Sequence, residues 1–236
     1  MKRRLQYFYF FFTNHSFREK VKKSLSLIYY DTLMKLNKIS YISVEDLFNW
    51  SELELNLKSP TSTPGQTSKL ELLIIVAFAK TLKNGENFLE IGTFDGNTAL
   101  NCALNLNHNS KFITIDLPEN AIPTSEHLVY DADLIKNEQR SKKKSENLDN
   151  VVQIYSDSTK LDFSKLDFKI AFIDGGHDYN TVKLDSQNVM KNINKNGIVL
   201  WHDYDVVNPV GDFLHSISNE YKIYRIQGTR IAICYL

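Results

Sequence analysis

The sequence predicts an α/β domain: a mostly parallel sheet with helices packed on both faces. Three observations lead there. Short apolar runs alternate with segments of helical period from residue 69 to residue 203, and strands buried on both faces read as such near-continuous apolar runs. At the C-terminal end, YKIYRI and RIAICYL flank Gln227-Gly228-Thr229, the pattern of an antiparallel hairpin. Each of the five internal runs also closes at or near an acid: Glu90, Asp116, Asp157, Asp174 and Asp203. Open parallel sheets bind ligands beyond the carboxyl ends of their strands, so acids gathered along that edge are the main functional signal.

The elements follow in order. Residues 1–65 read as a helical N-terminal extension, with no chemistry assigned to it. Its first 30 residues carry Lys2, Arg3, Arg4, Arg18, Lys20, Lys22 and Lys23 against Glu19 alone. The aromatic run in MKRRLQYFYFFF is too short to span a bilayer and precedes no small-residue cleavage site. It is read either as a helix packing on the domain or on a second subunit, making a homodimer, or as a peripheral membrane contact. Ser59–Ser68 is a Pro- and hydroxyl-rich loop, and the main domain runs from 66 to 236. Lys69–Lys83 is a strongly apolar helix, with Ser68 and Glu71 spaced as a capping box and Asn84-Gly85 as the stop. Strands follow at Asn87–Gly92, Lys111–Asp116, Val151–Asp157, Phe168–Asp174 and Gly197–Asp203, with helices at Asn97–Leu106 and Tyr179–Ile193. The 117–150 connection is long enough to be a lid or a disordered insertion. Its charge run, KNEQRSKKKSE, reads as a solvated helix face.

Composition narrows the class. The 236 residues are 42% hydrophobic and 24% charged, ordinary for a globular protein. A net charge of zero gives no field that would gather nucleic acid, so the expected partner is a small-molecule substrate. Two distant cysteines in apolar runs, Cys102 and Cys234, form no disulfide or metal framework. They fit a reducing, cytoplasmic setting.

The first half of the sheet reads as a nucleoside site. LEIGTFDGNTAL follows a strand and opens a helix, and Gly92 and Gly96 let backbone approach a ligand closely. Asp116 ends the next strand, where a carboxylate can take both hydroxyls of a ribose. A dinucleotide fingerprint would place glycine where Phe94 stands, which argues against a pyrophosphate.

Glu90-Ile91-Gly92-Thr93-Phe94-Asp95-Gly96 resembles the first motif of the class I S-adenosylmethionine-dependent methyltransferases. The resemblance covers about residues 66–236. It implies a Rossmann-like sheet of seven strands, the terminal one antiparallel, with S-adenosyl-L-methionine as cofactor. It assigns Glu90, Gly92, Thr93, Phe94, Gly96 and Asn97 to the methionine end, Asp116 to the ribose and the Ser156-Asp157-Ser158 turn to the adenine, with Asp174 also at the cofactor.

Methyl transfer to a hydroxyl needs that oxygen positioned and its proton removed. A divalent cation (Mg or Mn) on carboxylate oxygens lowers the hydroxyl's pKa. Adjacent strand ends lie roughly 5 Å apart, so Asp174 and the His202-Asp203 pair can meet at one ion. Asp174-Gly175-x-His177-x-Tyr179 together with His202-Asp203 resembles the bacterial group of macrolide-sugar O-methyltransferases and cephalosporin-hydroxylase-like proteins, of the methyltransferase domain 24 type. By that resemblance Asp174 and Asp203 are metal ligands, His202 a ligand or a near neighbour, and Asp174 and His177 catalytic, with His177 the general base. Its ordinary pKa near about 6.5 suits that role. His202 replaces an acid of the family pattern and leaves the metal's identity open. Asp185 and Asp205 read as solvated or capping acids, and Tyr179 and Trp201 as packing or pocket wall. Two other readings remain: a metal-dependent hydroxylase-like enzyme on the same fold, and a catalytically inactive methyltransferase-like binding module.

Overall fold

A computed structural model describes residues 39–58, 67–118, 120–122, 129–136 and 143–236. The expectations for the basic, aromatic N-terminus, including membrane contact and a dimer, lie outside the described residues.

Eight strands form one sheet. In chain order they are β1 (Ser40–Ile42), β2 (Phe88–Ile91), β3 (Phe112–Asp116), β4 (Val151–Tyr155), β5 (Ile170–Ile173), β6 (Ile198–Trp201), β7 (Ile223–Ile226) and β8 (Ala232–Tyr235). Their spatial order is β1-β7-β8-β6-β5-β2-β3-β4. β8 alone runs antiparallel to both of its neighbours, β6 and β7; the other pairings are parallel. The helices are α1 (Lys69–Thr81), α2 (Asn97–Ala103), α3 (Val129–Ile135), α4 (Tyr179–Asn192) and α5 (Pro209–Ile217).

Alternation within the strands sorts the core into two layers. Leu89, Ile91, Ile113, Ile115, Ala171 and Ile173 face one side, where Val182 and Val189 of α4 and Val210, Phe213 and Leu214 of α5 cover them. Phe88, Phe112, Ile170 and Phe172 face the other, against α1 from Leu72 to Ala79 and α2 at Ala99, Cys102 and Ala103. Successive strand residues point to opposite faces, and both faces are buried, which is why the strands carry no polar alternation.

Local signals set the helix starts. Ser68 accepts from the Glu71 backbone while Glu71 reaches back to the Ser68 N–H, the expected capping box. Asp178 caps α4 through the backbone N–H groups of Asn180 and Thr181. Asn208 caps α5, with Pro209 at its first position. The Asn-Pro signal for α5 went unread in the sequence.

The seven-stranded expectation gains an eighth strand, and the described part of the expected helical extension has no α-helix, only one 3₁₀ turn at Trp50–Glu52. β1 pairs beside β7 through Ser40↔Tyr224, Tyr41↔Arg225 and Ile42↔Ile226. The chain then crosses the α1/α2 face, where Val44, Leu47, Phe48, Trp50, Leu55 and Leu57 pack on the core. Phe48 meets Phe78 edge-on at 4.6 Å. Asn101 on α2 and Asn105 just past its end bind the backbone of Lys58 and Asn56. Four residues of helical rise span about 6 Å and two extended residues about 6.6 Å, so the two spacings match. Tertiary pairing overrides helical propensity in this segment. Ile39–Leu236 form one compact unit.

Candidate functional site

A cavity of about 510 Å³ opens at the carboxyl ends of β2, β3, β5 and β6. The expected residues Gly92, Phe94, Asp116, Asp157, Asp174, His177, His202 and Asp203 all line it. Glu90, Thr93, Gly96 and Asn97 do not line it. Glu90 is buried inside β2 and accepts a hydrogen bond from Thr114 Oγ1 at 2.5 Å. Burial, above all, pushes its carboxyl well above the usual range. Thr93 belongs to the same buried polar chain, 2.7 Å from Thr114 Oγ1 and accepting from Gln153 Nε2 at 3.0 Å.

The two motif glycines make room for protein as well as for a ligand. At Gly92 (φ +97°) a Cβ would lie 1.9 Å from the Asp174 carbonyl oxygen; at Gly96 (φ +74°) it would lie 2.7 Å from Ser145 Oγ. Gly92 therefore lets the end of β2 close on the end of β5, which joins the cofactor half of the site to the reactive half.

In the cofactor half, the Asp116 carboxylate accepts the Leu117 N–H at 2.9 Å and pairs with Lys143 Nζ at 2.6 Å. Asp157 caps its own turn through Thr159 N at 3.0 Å and pairs with Lys160 at 2.6 Å. Partial burial raises its carboxyl, and the Lys160 and Thr159 contacts outweigh that and hold it low. It shapes the expected adenine turn while facing the cavity.

The reactive half is a cluster of carboxylates and imidazoles from distant elements. His177 Nδ1 lies 2.5 Å from Asp131 Oδ1 on α3, and its backbone N–H donates to Asp131 Oδ2 at 2.9 Å. Its Nε2 lies 2.5 Å from Asp203 Oδ2. His202 Nδ1 is 2.9 Å from Asp174 Oδ1 and 3.3 Å from Asp203 Oδ2, and its Nε2 lies 3.4 Å from Glu71 Oε2. Arg230 Nη1 meets Asp203 Oδ1 at 2.7 Å, and its backbone N–H donates to Glu71 Oε1 at 2.7 Å.

These contacts change the protonation reading. Burial alone would lower the His177 pKa, but its two carboxylate partners raise it to about 10, not the ordinary value expected from sequence. Burial likewise opposes the charge on His202, and Asp174, Asp203 and Glu71 override it. Burial would raise Asp203 and Glu71; their histidine partners hold Asp203 well below the usual range and bring Glu71 to about 2. Asp203 also sits at φ 55°, in the left-handed region. That conformation costs about 1 kcal/mol or more and clusters at functional sites. Asn208 Nδ2, donating to the Asp203 carbonyl at 2.6 Å, helps to hold it.

Asp174, His177 and Asp203 offer ligand atoms that all lie within 4.8 Å of one another. His177 thus joins the two carboxylates alongside the expected His202. Two carboxylates and one imidazole suit a divalent cation that prefers oxygen. His202 binds the same carboxylates and ties them to Glu71.

Sequence reasoning missed Asp131, Lys143, Arg230 and the second role of Glu71. Asp131 had a signal: it shares a helix face with Leu134 and Ile135, three and four residues on, and an acid on an apolar stripe asks for a partner. Lys143 contradicts the solvated reading of its charge run, since it is buried and not helical. Asp185 is not solvated either: it is fully buried, and burial outweighs its Ser158 contact to raise its carboxyl. Asp205 does accept a turn N–H, from Val207 at 3.4 Å. Trp201 is core, donating to Ser186 Oγ at 2.8 Å, and Tyr179 packs edge-on against Phe213.

The strand order β4-β3-β2-β5-β6-β8-β7, with glycine-rich and acidic turns at its carboxyl edge, defines a class I methyltransferase architecture. Residues 89–204 match the model of a family described as a methyltransferase domain. The family match and the fold mark residues 89–204 as a class I S-adenosylmethionine-dependent methyltransferase domain, and the chain as an enzyme. Among solved structures it is similar to the O-methyltransferase NovP, with 13% identity over 71% of this chain and 80% of that one and a TM-score of 0.55. It is similar to the SAH-bound Podospora anserina methyltransferase PaMTH1, with 15% identity over 94% and 96% and a TM-score of 0.53. A Bacillus cereus O-methyltransferase in complex with SAH gives 17% identity over 77% and 85% and a TM-score of 0.50. A search of curated proteins found no similar sequence. No helix among the described residues is long and apolar enough to cross a membrane.

Proposed function

We propose that this chain transfers the methyl group of S-adenosylmethionine to a hydroxyl oxygen of a small molecule, with help from a divalent cation. One observation carries the reading. Asp174, His177 and Asp203 converge on one wall of the cavity, and Asp116, Gly92 and Asp157 line the rest of the same space. NovP and the Bacillus cereus protein are named as O-methyltransferases, and the Bacillus and Podospora proteins as holding SAH.

S-Adenosylmethionine supplies a methyl group on a sulfonium, open to in-line displacement by the acceptor oxygen. A divalent cation held by Asp174 and Asp203 supplies Lewis acidity that lowers the acceptor hydroxyl's pKa. The chain's own residues do the rest. Asp131 fixes the His177 ring by holding its Nδ1 and its backbone N–H, which leaves Nε2, beside Asp203, to take the acceptor's proton. In the cation-free state the His177 proton offsets the acidic charge around it. Occupation of Asp174 and Asp203 by a cation therefore displaces protons from the cluster. His202 and Arg230 hold the carboxylates in place. A set of two carboxylates, with His177 serving as the base, is less suited to iron and oxygen chemistry than two imidazoles and one carboxylate.

The test measures Mn²⁺ binding by electron paramagnetic resonance and S-adenosylmethionine binding by calorimetry. Both are run on the intact protein, Asp174→Asn and Asp116→Ala. Mn²⁺ binding lost in Asp174→Asn and cofactor binding weakened but still measurable in Asp116→Ala are expected, with methyl transfer to a panel of phenols and sugars abolished by EDTA. An intact protein that binds cofactor and transfers methyl equally well in EDTA sinks the cation. One that binds no cofactor under any condition sinks the whole reading.

A further inference from the structure

We infer that Lys143 is a positioning residue of the cofactor site, acting through Asp116; this rests on the cofactor reading above. Lys143 lies in the described end of the 117–150 insertion, with its side chain only 6% exposed. Its Nζ sits 2.6 Å from Asp116 Oδ2 and also donates to the Phe94 carbonyl. It therefore ties the loop after β2 to the end of β3, the two segments assigned to the methionine and ribose ends of one cofactor. It does this without lining the cavity itself.

The residues beside it extend the same strap. Lys144 donates its backbone N–H to the Asp95 carbonyl at 2.8 Å and pairs its Nζ with Asp95 Oδ2 at 2.6 Å. Ser145 Oγ occupies the space a Cβ on Gly96 would need. Phe94 and Asp95 are thus bonded to Lys143 and Lys144, and Gly96 packs against Ser145. Phe94 takes a left-handed φ of 48°, a conformation a bulky side chain adopts only when its surroundings impose it.

Burying an ammonium group is costly unless it is paired and hydrogen-bonded, and Lys143 has both an ion pair and a carbonyl. The result is a fixed Asp116 carboxylate, held by Lys143 on one oxygen and by the Leu117 N–H on the other. A carboxylate oxygen accepts two hydrogen bonds, so Lys143 and a ribose diol do not exclude one another. Without the lysine, Asp116 would lose its ion pair and its tie to the Phe94 carbonyl in a cavity that also holds Asp157 and Asp174. Ordering that carboxylate would then fall to the cofactor, which weakens binding.

The experiment is a double-mutant cycle on the full chain. S-Adenosylmethionine affinity is measured by calorimetry for Lys143→Met, Lys143→Arg, Asp116→Ala and the double variant Lys143→Met/Asp116→Ala. Thermal unfolding without cofactor tracks stability separately, and Lys143→Gln replaces Lys143→Met should the latter not fold. Lys143→Met is expected to weaken binding about tenfold, Lys143→Arg to restore most of it, and Lys143→Met to cost nothing further once Asp116 is alanine. Wild-type affinity in Lys143→Met, or losses that multiply in the double variant, overturn the inference alone. Wild-type affinity in Asp116→Ala overturns the ribose assignment, and the inference with it.

Discussion

The two halves of the cavity are built in different ways. The cofactor half comes mainly from one continuous β-α-β stretch, residues 88–116, where a strand end, a glycine loop and the next strand end follow each other along the chain. The reactive half gathers Glu71 from α1, Asp131 from α3, Asp174 and His177 after β5, His202 and Asp203 after β6, and Arg230 before β8. Its groups lie as far as 159 residues apart in sequence, as in the Arg230–Glu71 hydrogen bond. A local site tolerates drift elsewhere in the fold. A gathered site depends on every element that feeds it, so single substitutions should strike the two halves differently.

The strongest attempt to break that comparison is Asp174→Asn. It removes one of two carboxylates from the proposed cation set while keeping size and hydrogen-bonding capacity. Methyl transfer is expected to fall at least about a hundredfold, with S-adenosylmethionine affinity within about threefold of wild type. Equal losses in both would mean that the halves are one unit. Asp131→Asn probes a residue that only holds His177. Loss of an orienting partner is worth about 10- to 100-fold, so kcat should drop by that much at unchanged cofactor affinity. An unaltered kcat would remove His177 from the mechanism.

The same contrast explains what could be read in the sequence. Strand ends, the glycine loop and Asp116 were legible because β2, α2 and β3 keep local periodicity and their chemistry is contiguous. Asp174, His177, His202 and Asp203 were legible as residues at strand ends, since strand direction alone fixes which edge they reach. Their partners were not. Glu71 already had a complete local explanation as a capping residue, and nothing in its spacing points to His202 or Arg230. Nothing in KKK tells which lysine turns inward. The strand β1 was read as helix because its pairing with β7 joins residues some 180 positions apart, and non-local pairing of that kind overrides local propensity. Asp185 was judged by residue type, and only the packing of α4 against Gly175 shows that it is enclosed.

The smallest expected effect is a pH dependence of stability, and it belongs mostly to the reactive half. His177 rises from 6.5 to about 10 on folding, so its contribution is complete below about pH 6.5 and is lost as pH climbs through 10. Glu71 falls from 4.5 to about 2; its contribution is complete above about pH 4.5 and is lost as pH falls through 2. Asp185 rises from 3.8 to about 7, because burial disfavours its charge. The fold keeps a proton there that the unfolded chain has released, so stability declines between about pH 4 and 7. Together the three place the maximum for the EDTA-treated protein at about pH 4, with a steady fall toward pH 10. Melting temperatures across that range check the sum, and two variants separate its parts. Asp185→Asn removes a fully buried charge and should stabilise the protein by roughly 1 kcal/mol at pH 8, flattening the slope below pH 7 only. His177→Gln should flatten the slope above pH 7 and leave the rest. A profile that neither variant alters would mean that the carboxylate–imidazole cluster is not what makes stability depend on pH, and that the two halves differ in assembly but not in electrostatics.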